Sequence, residues 1–125
     1  MKRLHIQFSK TNILFTLSEQ VASPQIVGYK LIPATEKILT QVSAGSSGLR
    51  NSRKKQPLAA STLVNNFLEN NPNVGALEIC TRGFNKNRDR VLTALAASKS
   101  IQILRVIDKT PLAHNGCRRP AKRRL

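Results

Sequence analysis

The spacing of apolar residues changes along this chain of 125 residues, and that change restricts the fold class. Residues 4–8 carry Leu, Ile and Phe at every second position, and residues 13–17 repeat the pattern with Ile, Phe and Leu. A period of two is typical of half-buried strands, so two strands are predicted, with residues 9–12 as the turn between them. Residues 26–29 predict a third, weaker strand, which residues 37–42 extend or replace.

The second half of the chain alternates between helix and strand. Pro57 suits the first position of a helix, and the apolar residues over 60–68 recur at spacings of three and one, as in an amphipathic helix. The elements predicted to follow are a helix end at residues 70–72, a strand at 76–80, a helix from Asn87 or Arg88 to 98–100, and a strand at 101–107. The strand–helix–strand order predicts parallel pairing through a right-handed crossover, so the fold class is α/β.

The last 16 residues follow neither pattern. Pro111, Gly116 and Pro120 interrupt any regular hydrogen-bond ladder, and no apolar periodicity is present. Five of the last eight residues are cationic and none is acidic, so this segment is expected to be disordered until a dense negative charge neutralises it. The sequence therefore predicts one α/β domain over residues 1–109 and an extended basic tail over residues 110–125.

The charge balance indicates the class of partner. The chain has 21 Lys and Arg residues against 6 Asp and Glu residues, for a formal net charge of +15. Self-repulsion at this charge destabilises a compact state, which implies a polyanionic partner. A membrane partner is not expected, because the sequence has no long apolar run. The two cysteines, Cys80 and Cys117, lie far apart and predict free thiols in a reducing compartment.

The positions of the charges narrow the partner further, because 13 of the 21 cations fall in three segments that contain a single acid, Asp89. The cations of these segments are Arg50, Arg53, Lys54 and Lys55; Arg82, Lys86, Arg88 and Arg90; and Arg118, Arg119, Lys122, Arg123 and Arg124. The first two segments run into predicted helix N-termini, where unpaired backbone N–H groups also attract phosphate. Small or turn-forming residues there, such as Gly83, Asn85 and Asn87, permit close backbone approach or a positive φ.

Structured RNA fits these features best. The sequence has no zinc-finger spacing, no helix-turn-helix pattern and no aromatic pair suited to stacking single-stranded bases. Recognition of RNA by shape and phosphate needs none of these. A free nucleoid-type protein that binds any nucleic acid is the alternative that charge alone permits.

Two chemical alternatives are weaker. A metal-dependent nuclease needs converging carboxylates, whereas the six acids of this chain are scattered along the sequence. A zinc site would need closely spaced pairs of ligands, and His114 with Cys117 supplies one such pair. We therefore expect no enzymatic activity, no metal and no cofactor, with His114 a contact to RNA.

Three motifs resemble the universal small-subunit ribosomal protein eleven family. Residues 108–118, which include Thr110-Pro111 and His114-Asn115-Gly116-Cys117-Arg118, resemble the family's C-terminal ending. Residues 43–60 resemble its glycine-rich basic loop and first helix, and residues 82–89 resemble its second basic loop. In that second loop Phe84, Asn85 and Asn87 stand where the family usually has Pro, Gly and Gly. Asparagine tolerates a positive φ, so the loop is expected to keep its path.

This resemblance implies a ribonuclease-H-like mixed sheet flanked by helices. The implied role is to bind platform rRNA of the small ribosomal subunit near the exit-site messenger path, beside neighbouring small-subunit proteins. The residues expected to contact RNA are Arg50, Asn51, Ser52, Arg53, Lys54, Lys55, Arg82, Lys86, Asn87, Arg88, His114, Asn115, Gly116, Arg118, Arg119, Lys122, Arg123 and Arg124. Asn115 and Gly116 are expected to form the turn at which the tail enters the RNA.

The sequence also favours an organellar ribosome. The motifs are looser than is usual in the family, the chain starts directly in its first strand, and Asn, Ile, Lys and Leu are frequent. These features favour the mitochondrial matrix, with a plastid or the bacterial cytoplasm as the alternatives.

Overall fold

A computed structural model describes residues 1–49 and 56–124 of the chain. The strands are β1 (Lys2–Phe8), β2 (Ile13–Ala22), β3 (Gln25–Val27), β4 (Lys30–Ile32), β5 (Thr35–Ser43), β6 (Gly75–Gly83) and β7 (Ile101–Asp108), and the helices are α1 (Leu58–Asn70) and α2 (Arg88–Ala97). None of the helices in these two stretches is long and apolar enough to cross a bilayer.

Five strands form one mixed sheet in the order β5-β2-β1-β6-β7. β1 pairs antiparallel with β2 and parallel with β6, and β6 pairs parallel with β7. The two helices contact each other and pack on one face of the sheet. The predicted α/β class, with a mixed sheet flanked by helices, is confirmed, as is the parallel pairing across the last strand–helix–strand unit.

The core lies between the sheet and the two helices. The predicted stripe of α1 supplies Leu63, Val64 and Phe67, each at most 2% exposed, and α2 supplies Val91 and Leu95. These side chains cover the alternating apolar residues of β1, β2 and β6, as the period-two pattern predicts. The ring of Phe67 meets that of Phe15 edge-on at 5.5 Å between centroids, a favourable aromatic geometry.

The region that the sequence describes least well forms a small separate hairpin. β3 and β4 pair with each other, and the turn between them uses Gly28 at φ 63. The prediction of a single strand over residues 26–29 is therefore wrong, because Gly28 and Tyr29 reverse the chain. Residues 37–42 belong to β5, an edge strand of the main sheet. The hairpin leaves Ile26, Tyr29 and Leu31 exposed.

The sheet face opposite the helices carries a row of ion pairs. The Glu78 side chain is 1% exposed and lies between two arginines, with its oxygens 3.5 Å from Arg3 Nε and 3.0 Å from Arg105 Nε. Arg3 also pairs with Glu36, which lies 3.2 Å from His5 Nε2. Burial works to raise the pKa of the Glu36 carboxyl, but hydrogen bonds from neighbouring side chains and the Arg3 charge lower it below its ordinary value. Two acids that are 42 positions apart thus share one arginine.

Gly83 ends β6 at a point where two backbones meet. Its φ is +87, and a Cβ added there would lie 2.1 Å from the carbonyl oxygen of Phe8 on β1. Gly75 begins the same strand with a similar φ of +69, but a Cβ there would meet nothing within 4 Å. The two glycines therefore separate the cost of a left-handed conformation from the cost of a backbone collision.

We expect Gly83→Ala to lower the free energy of unfolding by about 2–5 kcal/mol, because strain and overpacking add. Gly75→Ala serves as the matched control and should cost about 1–2 kcal/mol, from strain alone. Chemical denaturation of both variants measures the difference. Equal losses would show that the close approach of Gly83 to Phe8 does not matter for stability.

Candidate nucleic-acid interface

The pairing of the strands brings the connecting loops to one side of the sheet, at the ends of the strands. Phe8 is level with both Ile13 and Gly83, Leu14 is level with Ser43, and Thr81 is level with Asp108. The loops attached to the strand ends at these positions must therefore lie on the same side of the sheet. We call this side the loop edge; it consists of residues 9–12, 44–49, 56–57, 84–87 and 109–110.

The turn over residues 9–12 forms as predicted. The Ser9 N–H donates to the Asn12 carbonyl at 2.9 Å, and the Asn12 N–H donates to Ser9 Oγ at 2.9 Å. These bonds close the turn without glycine. Lys10, at its tip, is exposed at the loop edge.

Two buried asparagines hold the loop between β6 and α2. Asn85 Nδ2 donates to the Ser9 carbonyl at 2.7 Å, and Asn85 Oδ1 accepts the Asn87 N–H at 3.0 Å. Asn87 Nδ2 donates to the Gln56 carbonyl at 3.1 Å, which joins the starts of α1 and α2. Neither asparagine uses the left-handed conformation that the sequence suggests, and Asn87 has φ −91. Their amide groups fix the loop instead.

A cluster of Arg88, Asp108 and Thr110 fixes the base of the tail. Asp108 Oδ1 accepts hydrogen bonds from the Thr110 hydroxyl at 2.6 Å and the Thr110 N–H at 3.0 Å, and Oδ2 accepts one from Arg88 Nη2 at 3.1 Å. Thr110 Oγ1 in turn accepts the Gly83 N–H at 3.1 Å. The bonds from Thr110, then that from Arg88, lower the pKa of Asp108 to about 2.

The structure separates the residues predicted to contact RNA into three groups. Arg82 and Lys86 are exposed at or beside the loop edge, as expected of phosphate ligands. Arg88 is engaged with Asp108 and with Thr81 Oγ1 at 3.3 Å, and Asn87 is 2% exposed. In this chain these two side chains hold the protein's own loops together.

The third group lies in the tail, where the described residues 111–124 are exposed and carry neither helix nor strand. Asn115 at φ 67 and Gly116 at φ 60 are consecutive left-handed residues, which is the conformation of a tight turn. The predicted tail contacts His114, Arg118, Arg119, Lys122, Arg123 and Arg124 are all exposed. The predicted contacts at Arg50, Asn51, Ser52, Arg53, Lys54 and Lys55 lie outside the described residues.

Sequence reasoning missed three exposed residues that the fold adds to this surface. These are Lys10, Phe84 and Lys109: Lys10 and Phe84 line one groove with the predicted Lys86, and Lys109 lines part of another with the predicted Arg82. Lys10 stands alone in the sequence, far from the basic segments, and Lys109 precedes the tail. The alternation of β1 and β2 around a four-residue turn was the signal that could have placed Lys10 at the end of the sheet.

The described residues include no cluster of three or more His, Cys, Asp or Glu side chains that could hold a metal ion. Cys80 is buried and Cys117 is exposed, and both are free. Burial raises the pKa of the Cys80 thiol.

Comparison with known proteins identifies a family that the chain matches. A family model described as ribosomal protein S11 matches residues 30–124. The chain belongs to the ribosomal protein S11 family.

Individual relatives of this S11 chain match most of its length. It is 31% identical over 124 residues to the small ribosomal subunit protein uS11c of Cuscuta obtusiflora and to that of Cuscuta gronovii, in alignments that cover 98% of this chain and 79% of each relative. It is 40% identical over 86 residues to uS11c of Cryptomeria japonica, covering 66% of this chain and 64% of the relative. The resemblance to this ribosomal protein family that the sequence shows is confirmed.

Membership in the S11 family establishes the general role. The chain is a structural constituent of the small ribosomal subunit, and its partners are small-subunit rRNA and other ribosomal proteins. The S11 family is a non-enzymatic component, which confirms the prediction against catalysis.

The asparagine bonds of this S11 chain can be tested by removing one side chain. Asn85→Ala loses two hydrogen bonds and should lower the free energy of unfolding by about 1–3 kcal/mol. Lys86→Ala is the matched control, because the neighbouring lysine is exposed and should change stability by less than about 0.5 kcal/mol. Denaturant unfolding of the two variants compares them, and equal midpoints would contradict a fixed loop.

The Asp108 cluster predicts an unusual titration. We expect an NMR titration of the Asp108 carboxyl in the folded chain to give a pKa of about 2, well below the ordinary value of 3.8. Because the folded pKa is depressed, the cluster's contribution to stability is full above about pH 4 and is lost as the pH falls through about 2. Thr110→Ala should raise the pKa of Asp108 more than Arg88→Gln does, since the Thr110 hydroxyl is its strongest partner. A midpoint near 4 in the unsubstituted chain would contradict the cluster.

Proposed function

We propose that the loop edge and the tail together bind the rRNA of the small-subunit platform near the exit-site messenger path. The single observation that carries this proposal is that the sheet topology gathers separate basic segments at one edge. Residues Lys10, Arg82, Lys86 and Lys109 come from three separate parts of the sequence and lie exposed at or beside this edge. A folded RNA presents phosphates from several strands at once, and such a surface matches it.

The internal ion pairs support the same assignment. Glu36, Glu78 and Asp108 neutralise Arg3, Arg105 and Arg88 within the protein. Half of the chain's six acids are therefore engaged with the protein's own arginines. The exposed cations of the loop edge and tail are left to an external polyanion.

The tail extends this surface away from the domain. Its base is fixed by Asp108 and Thr110, and beyond that point the chain is free to follow an RNA groove. The consecutive left-handed residues Asn115 and Gly116 change its direction just before the basic run that starts at Arg118. In this proposal the division at residue 109 separates a scaffold from a segment that is ordered by rRNA, and residues 50–55 bind the same RNA.

We further propose that the ribosome is mitochondrial. The support is the departure of Phe84, Asn85 and Asn87 from the family's usual loop, together with the frequent Asn, Ile, Lys and Leu residues. The plastid is the alternative, because the named relatives are plastid proteins. Immunodetection in purified mitochondria and plastids of the source cells decides between the two.

The rRNA proposal predicts that two triple variants that lose the same charge differ in the salt dependence of their RNA affinity. The variant with Arg118, Arg119 and Arg123 changed to Gln should reduce the steepness of log affinity against log salt by roughly 2–3, for about three lost phosphate contacts. The matched control changes the exposed Lys30, Lys37 and Lys99 to Gln; Lys37 and Lys99 lie near the strand ends opposite the loop edge, and Lys30 lies in the separate β3–β4 hairpin. The control should leave the slope within about 1 of the unsubstituted chain.

Binding to small-subunit rRNA transcripts over a range of salt concentrations measures both slopes. Equal slopes for the two triple variants would overturn the proposed surface. Equal affinity for rRNA and for duplex DNA would instead favour the free nucleoid-type alternative.

A further inference from the structure

Phe84 differs from the other phenylalanines of the chain. Phe8, Phe15 and Phe67 are at most 4% exposed and belong to the core, whereas Phe84 is 77% exposed. It lies in the loop between β6 and α2, where it interrupts a basic segment. Single exposed apolar residues are common on protein surfaces, so exposure alone assigns no role.

The backbone on both sides of Phe84 is fixed. Before it, the Gly83 N–H is bonded to Thr110 Oγ1 at 3.1 Å, and the Gly83 backbone lies against Phe8. After it, Asn85 is 8% exposed and its side-chain amide donates to the Ser9 carbonyl. An aromatic ring is thus held outward by two anchored neighbours, so little backbone entropy is lost when a ligand covers it.

The surroundings of the ring identify the ligand. Phe84 lines a groove of about 320 Å³ together with Lys10, Asn85 and Lys86, and the wall of the groove is more apolar than polar. Apolar surface suits the face of a nucleobase, and the two lysines suit the phosphates on either side of it. A protein partner that covered this groove would bury two ammonium groups, which is costly unless acids pair with them.

We infer that Phe84 is a stacking platform for one unpaired rRNA base, with Lys10 and Lys86 contacting the flanking phosphates. This inference rests on the proposed rRNA-binding function and adds an element to it. Recognition by shape and phosphate alone needs no aromatic residue, whereas one exposed ring is sufficient to bind a single bulged or looped-out base. The site would therefore select an irregular position in the RNA over a continuous helix.

The test compares two RNA hairpins that differ by one nucleotide. The first carries a single bulged 2-aminopurine in its stem, and the second has the same stem without the bulge. We expect the full chain to bind the bulged hairpin more tightly and to change the 2-aminopurine fluorescence. Phe84→Ala should weaken binding to the bulged hairpin by roughly 5- to 150-fold, remove the fluorescence change, and leave affinity for the paired hairpin within about twofold.

Two further variants control for surface aromaticity and for ring chemistry. Tyr29→Ala removes a fully exposed aromatic ring from the β3–β4 hairpin and should leave binding to both RNAs unchanged. Phe84→Trp keeps a stacking surface and should keep the preference for the bulge. Thermal unfolding of Phe84→Ala should match that of the unsubstituted chain, because the ring is exposed.

The outcomes separate the inference from the proposed function. If Phe84→Ala retains the preference for the bulge, or if Tyr29→Ala loses it, the stacking site is wrong while rRNA binding stands. If Phe84→Ala binds both hairpins normally but fails to enter small-subunit particles, Phe84 contacts a protein and the inference is overturned. If the unsubstituted chain binds neither hairpin, both proposals fail.

Discussion

The parallel pairing of β1 with β6 is the interaction on which the rest of the structure depends. These strands are separated by more than 65 residues, and their register sets Phe8 beside Gly83. The two strand ends approach this closely because Gly83 has no Cβ; a Cβ there would lie 2.1 Å from the Phe8 carbonyl oxygen. Because both strands end at the same level, the loops that follow them, and the tail beyond β7, leave on one side of the sheet. The proposed RNA-binding surface is a consequence of this register.

The protein divides its charges between two uses. Arg3 and Arg105 enclose the nearly inaccessible Glu78 on the sheet face that the helices leave open. Burying a carboxylate is costly, and the two arginines offset that cost. The exposed lysines and arginines at the loop edge differ from these. Among the described residues, no acid lies close enough to pair with them, apart from acids that already pair with another arginine. A large positive charge is thereby compatible with a folded domain.

The loop over residues 84–87 is fixed by side-chain amide groups. Glycines set a path through conformational freedom, whereas Asn85 and Asn87 set it through amide hydrogen bonds to Ser9 and Gln56. The bonds leave both side chains buried, so they support the surface without contacting a ligand. At position 84, where the family usually has proline, this chain carries an aromatic ring, which is exposed between two anchored residues.

The sequence by itself determined the elements and the class of partner. Periods of two and 3.6 are local properties, so the strands over residues 4–8 and 13–17 and the helix of Leu63, Val64 and Phe67 could be predicted. The excess of cations needed no structure to indicate a polyanion. Only the tertiary structure decided which cations are available, because pairing depends on distances between residues far apart in sequence. Arg88 reads as a phosphate ligand until Asp108 is placed beside it, and Lys10 is unremarkable until the sheet carries it to the basic loops.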